Sequence, residues 1–155
     1  MPLKHDAFYA FTAALQPTKK AWHSVAGSVL TASGLSISLA TPVLLVSRMG
    51  DGVPQHVLAD RIGVHPAALL RTLDQAQRAN LLERREVVGN RRIRAVHLLP
   101  EGCRLAQVME SALKALRCTL LEDIPREDIA TATRVLQAFE NRANLFAQQE
   151  RTNSK

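Results

Sequence analysis

What this sequence has little of narrows its function. Its longest apolar runs, 7–15 and 34–46, fall short of the roughly 20 residues a bilayer-spanning helix needs, and Asp6 stands where a signal peptide carries only positive charge. No Gly-rich phosphate loop, HExxH or CxxC occurs. The histidines His5, His23, His56, His65 and His97 are scattered through separate segments, which argues against a metal site. Just two cysteines are present, Cys103 and Cys118, fifteen positions apart in one expected helix. That spacing is roughly 22 Å along a helix axis, too far for a disulfide within the chain. Buried, reduced, structural thiols are expected. These features describe a soluble cytoplasmic protein with no membrane partner, no cofactor and no metal, and not an enzyme.

Lysine is also missing between Ala21 and Leu113, where arginine is the sole strong cation. Arginine forks onto phosphate and guanine edges, although a GC-rich genome would produce the same bias. The net charge is +6 and the isoelectric point about 10.0, which suits a polyanion or an acidic protein surface. With 46% hydrophobic residues over 155 positions, the chain can bury a real core.

The apolar pattern is mostly helical. Phe8, Phe11 and Leu15, then Trp22, Val25 and Val29, keep a three-four spacing. Pro17 is expected to divide this region into a short leading helix and a second over 18–30. A further helix follows Gly34 and Ser36 and ends near Gly50. Pro54 and Gly63 bracket a short helix holding Leu58 and Ile62, and Pro66 opens another at once. In that second helix Leu69, Leu73 and Ala76 face inward while Ala67, Ala68, Arg71, Gln75 and Arg78 face out. Two short helices joined by a tight turn make a helix-turn-helix.

Strand-like runs LLERREVV and IRAVHLL then flank Gly89 and Asn90, the composition of a hairpin tip. Between Arg84 and Arg94 lie five arginines and one acid, Glu86. Such a hairpin is a basic wing suited to a narrow minor groove. Pro100 begins a long helix to about Leu121, and Pro125 a last one. In that last helix Ile129, Ala132, Leu136, Phe139, Ala143 and Phe146 form a narrow seam suited to a packed helical pair, within one chain or between two.

The expected fold is therefore mainly α with a small β-wing: a winged helix-turn-helix lobe over 36–100 and a helical dimerisation region. The latter takes its N-terminal helices from 1–35 and its C-terminal helices from 101–147, with a polar tail at 148–155. The candidate DNA-contacting residues are His65, Pro66, Ala67, Ala68, Arg71 and Gln75 on the helix, and Arg84, Arg85, Asn90, Arg91, Arg92 and Arg94 on the wing.

The stretch LADRIGVHPAALLRTLDQAQRANLLERREVVGNRRIRAVHLLPEG resembles the core of MarR-family transcriptional regulators, especially their SlyA branch. The most specific parts are LLRTLDQ, the RR pair of the wing and PEG. The similarity runs from about Lys19 to Asn144. It implies a homodimer with two winged lobes on a palindromic double-stranded operator, half-sites about one helical turn apart, and a repressor role. It places Ala67, Ala68 and Arg71 in the major groove, and Asn90 and Arg92 on the wing motif Asp-x-Arg. Asn90 replaces the aspartate, which predicts a looser wing. Leu99 stands where a capping threonine is common. The residues before Leu15 exceed the family core and are expected to add a dimerisation helix.

The resemblance further implies a small aromatic carboxylate or phenol as effector, bound between the dimer region and the lobe. It would act by favouring one lobe spacing. Trp22, His23, Arg71 and Thr72 are the candidate lining residues. The alternative from another functional class is a winged-helix module that meets an acidic protein and binds no specific DNA.

Overall fold

The computed structural model describes residues 3–153, with side chains from residue 6 onward. The side chain of His5 and the last two residues of the expected polar tail lie outside the described residues. The chain forms two compact units, Met1–Leu116 and Arg117–Lys155.

The first unit opens with α1 (Leu3–Thr31), one continuous helix with Pro17 inside it. The expected break at Pro17 is absent. Proline removes one backbone donor, which leaves the carbonyl of residue 13 without its helical partner. Both positions are exposed, so water can satisfy that oxygen and the helix continues. Helix α2 (Ile37–Met49) starts at Ser36, whose side chain accepts from the Leu39 N–H. A two-residue strand, β1 (Val53–Pro54), leads into α3 (Gln55–Ile62). Gly63 closes α3 in the left-handed region at φ 77°, a conformation a β-carbon disfavours.

Helix α4 (Pro66–Arg78) follows, then β2 (Leu82–Val87), β3 (Asn90–Leu98) and α5 (Pro100–Leu121). The three strands form an antiparallel sheet in the order β1-β3-β2, with Val53 opposite Val96 and Leu82 opposite Leu98. The core gathers Val43 and Val46 of α2, Leu58 of α3, Leu69 and Leu73 of α4, Leu82 and Val96 of the sheet, and Met109 of α5.

One junction fixes α5 against this core. Asn80 takes φ 58° after α4 and turns the chain so that the Leu81 N–H reaches the Ala76 carbonyl at 3.0 Å. The Leu81 carbonyl in turn accepts from the Leu99 N–H at 3.0 Å. It also sits against Gly102, where an added β-carbon would lie 2.0 Å from that oxygen. No larger residue fits there without moving α5.

The buried stripe of α5 runs through Gly102, Leu105, Ala106, Met109 and Leu113. Cys103 and Cys118 fall off it and are exposed, contrary to the burial expected of them. Buried cysteine is a tendency of the residue type; the helical register decides otherwise here.

The second unit carries α6 (Arg126–Asn153), which begins after Pro125 and continues as helix into the expected polar tail. It has no buried residue. Leu136, Phe139 and Phe146 of its apolar seam are all exposed.

Candidate nucleic-acid interface and adjoining cavity

The candidate interface is built on α4. His65 caps it, its Nδ1 accepting from the Ala67 N–H at 3.2 Å, and Pro66 occupies the first turn, where a missing donor costs nothing. Leu69, Leu73 and Ala76 anchor the inner face. The register then turns Ala67, Ala68, Arg71, Gln75 and Arg78 to solvent. The small side chains at 67 and 68 leave the helix backbone approachable, and Arg71 projects beyond them.

The β2–β3 hairpin lies beside α4 and turns at Val88 and Gly89. Asn90 accepts from the Arg92 N–H through Oδ1 at 3.1 Å. Asn90 thus holds the wing backbone as an aspartate in that place could, and what it lacks is the charge.

The five wing arginines divide into two groups. Arg84 reaches inward to α4, with Nη2 2.5 Å from Asp74 Oδ1 and Nε donating to Gln77 Oε1 at 3.1 Å. Arg85 pairs with Glu83, and Arg94 lies 3.8 Å from Glu86 on the neighbouring strand. Arg91 and Arg92 are exposed, and among the described residues neither they nor Arg71 has a carboxylate within ion-pairing distance. The free cations therefore sit on the outer face of α4 and at the start of β3.

Four residues not expected from the sequence, Gln55, His56, Leu70 and Ile93, join the expected Pro66, Arg92 and Arg94 in lining a cleft of about 190 Å³ between α3, α4 and β3. The Oε1 atom of Gln55 is buried without a hydrogen-bond partner among the described residues. The β1–β3 pairing helps bring the start of α3 to the wing, and a two-residue strand leaves little trace in a sequence.

A larger cavity of about 370 Å³ lies between α1, α2, α3 and α5. Trp22 and His23 both line it, whereas Arg71 and Thr72 do not. Its cations are instead Lys19, Arg48 and Arg61, and no carboxylate lines it. Arg48 is held by Glu110 of α5 at 2.8 Å. Of the four residues expected to line an effector crevice, this cavity therefore brings together Trp22 and His23 but not Arg71 and Thr72 of α4; Arg71 faces solvent, and α1, α2 and α3 supply the charge. Among the described residues no cluster of three or more metal-ligating side chains occurs, and no helix is long and apolar enough to cross a membrane.

No protein-family model matches the sequence. Solved structures of MarR-family transcriptional regulators, however, superpose on most of the chain, for example with a TM-score of 0.79 over 94% of it. The chain has the MarR fold. A transcriptional regulator, PA3341, shares it at 27% identity with a TM-score of 0.80, covering 86% of this chain and 98% of that one. FabT of Streptococcus pneumoniae, solved in complex with DNA, is 16% identical with a TM-score of 0.71, covering 88% of this chain and 97% of its own. CouR of Rhodococcus jostii RHA1, solved with p-coumaroyl-CoA bound, is 20% identical with a TM-score of 0.69, covering 81% and 88%. Within the MarR fold of this chain, α3 and α4 are the helix-turn-helix and the β2–β3 hairpin is the wing.

Proposed function

We propose that this protein is a sequence-specific, DNA-binding transcriptional regulator of the MarR type that represses as a homodimer. One observation carries the reading: the outer face of α4 and the start of β3 present Arg71, Arg91 and Arg92 unpaired, while the other wing arginines are matched by carboxylates. A solvated structural hairpin has no need to leave those positions uncompensated. A polyanion meets all of them, with α4 in the major groove and the wing in the adjacent minor groove. FabT, of the same fold, was solved with DNA.

The dimer rests on the apolar side chains exposed along α1, Phe8 and Tyr9 among them, and along α6. A second copy is the partner that would cover them, with α1 and α6 as the dimerisation region and the segment between as the DNA-binding lobe. The cavity beside Trp22 is the effector site. Its apolar walls and the cations Lys19, Arg48 and Arg61 suit an aromatic carboxylate, and CouR holds an aromatic acyl thioester.

The decisive experiment measures binding of the purified protein to duplex DNA from upstream of its own gene and from neighbouring divergent promoters, at fixed salt. Selective binding that both Arg71→Ala and Arg92→Ala weaken supports the reading. Absence of selective binding by the wild type rejects it in favour of a protein-interaction module.

A further inference from the structure

We propose that Arg84, together with Asp74 and Gln77, is a positioning element that sets the wing against the recognition helix, and that Arg84 does not itself touch DNA. The proposal rests on the DNA-binding reading above.

The chain geometry dictates the arrangement. Side chains alternate along a strand, so Arg84 shares the face of Leu82, two residues earlier. Leu82 is fully buried, and that face is turned towards α4. Glu83 and Arg85 occupy the other face, where they pair with each other. On α4, Asp74 and Gln77 are three residues apart and therefore neighbours on one helical face.

The Arg84 guanidinium bridges them, and its side chain is only 20% exposed against 44% for Asp74. A planar fork with two fixed acceptors leaves little rotational freedom. It ties the middle of β2 to the second half of the helix. Arg71 and Arg92 then sit on two bodies whose separation is set by this bridge.

The bridge matters because the two readers must enter adjoining grooves together. A wing free to swing would leave Arg71 able to bind while Arg92 paid an ordering cost on every encounter. Asp74 is otherwise a poor residue for this helix, since a carboxylate near DNA repels phosphate.

Asp74 also provides the test, because two accounts predict opposite signs. The probe is the duplex site recovered from random DNA by selection with the wild-type protein, and binding is scored per folded molecule by far-ultraviolet circular dichroism. If Asp74 acts on DNA only through its charge, Asp74→Ala tightens binding. If it holds the wing, Asp74→Ala weakens binding roughly tenfold, and Asp74→Asn, which keeps an acceptor oxygen, recovers most of that loss.

A cycle with Arg92 supplies the second readout. Arg92→Ala should lower the slope of log affinity against log salt by about 1. In a positioning role, Arg84→Ala lowers it by no more than that, and the double variant lowers it no further. Should the two losses of slope add, or should Asp74→Ala bind as tightly as the wild type, Arg84 is a phosphate contact and the proposal falls. If selection with the wild type recovers no site, the regulator reading falls first and this inference with it.

Discussion

The carboxylate of Asp51 lies 2.8 Å from Nδ1 of His97 and accepts from the Leu98 N–H at 3.1 Å. It ties the turn after α2 to the base of the wing across 46 residues of sequence. The hydrogen bond from His97 is the main cause that holds the Asp51 carboxyl below its ordinary range; burial opposes it, and the hydrogen bond from the Leu98 N–H adds to the lowering.

A carboxyl depressed in the folded state stabilises the fold above its ordinary pKa and loses that contribution as pH falls through the folded value. Asp51→Asn should therefore melt below the wild type at pH 7. The gap should begin to narrow as pH falls towards about 3.9, the ordinary aspartate value, and close only below the lower folded-state value, where both proteins carry a neutral group. Asp51 is well exposed, so the neutral-pH difference should be small. Thermal melts across pH 2–7 check it; a gap that stays constant with pH would show that the charge of Asp51 contributes nothing.

Gly102→Ala tests the contact between α5 and the wing base. The new β-carbon would collide with the Leu81 carbonyl, a backbone atom that cannot rotate away, so α5 must shift. Overpacking of this kind costs roughly 1–3 kcal/mol. Urea unfolding should show that loss with little change in slope. An unchanged midpoint would mean that α5 tolerates displacement here.

Much of this architecture was legible in the sequence, for reasons that show where legibility stops. The α4 register followed from Leu69, Leu73 and Ala76, because a one-sided helix announces its buried face. The hairpin followed from β-branched runs around Gly89 and Asn90. Pro17 misled, since a proline rule for helix interiors presumes that the freed carbonyl has no water. The burial expected of Cys103 and Cys118 failed because it came from residue type and ignored the stripe of α5. Arg84 was grouped with the wing cations by charge alone, although its alternation with Leu82 already placed it inward. Lys19, Arg48 and Arg61 come from different helices, and no local pattern could have assembled them.

Arg71 and Arg92 should fail differently. On the proposed reading Arg71→Ala removes a base reader, which should cost roughly 1–3 kcal/mol and relax preference at one position of the site. On the same reading Arg92→Ala removes a minor-groove cation, which should weaken binding more evenly and reduce the preference for sites with a narrow, A-tract-like groove. Competition assays with single-base variants of the site distinguish them. Equal loss on every duplex for both variants would leave α4 without a reading role.

Salt dependence measures the interface as a whole. If the proposed dimer neutralises about six phosphates, raising salt from about 50 to 200 mM should weaken binding roughly a thousandfold. A nearly flat response would mean that the free cations of the wing do not meet phosphate.

The cavity can be tested without DNA, because Trp22 is the one tryptophan in the chain and lines it. An aromatic carboxylate such as 4-hydroxybenzoate, seated beside the indole, should change its fluorescence saturably. The neutral analogue 4-hydroxybenzyl alcohol should bind more weakly, since it offers nothing for Lys19, Arg48 or Arg61 to neutralise. Arg61 has no carboxylate partner among the described residues, whereas Arg48 is held by Glu110, so Arg61→Ala should cause the larger loss. Removing a charge-assisted hydrogen bond of this kind should weaken the acid by about tenfold or more and leave the alcohol little affected. If acid and alcohol bind alike, or if Arg61→Ala and Arg48→Ala both match the wild type, the cations of this cavity do not select an anion.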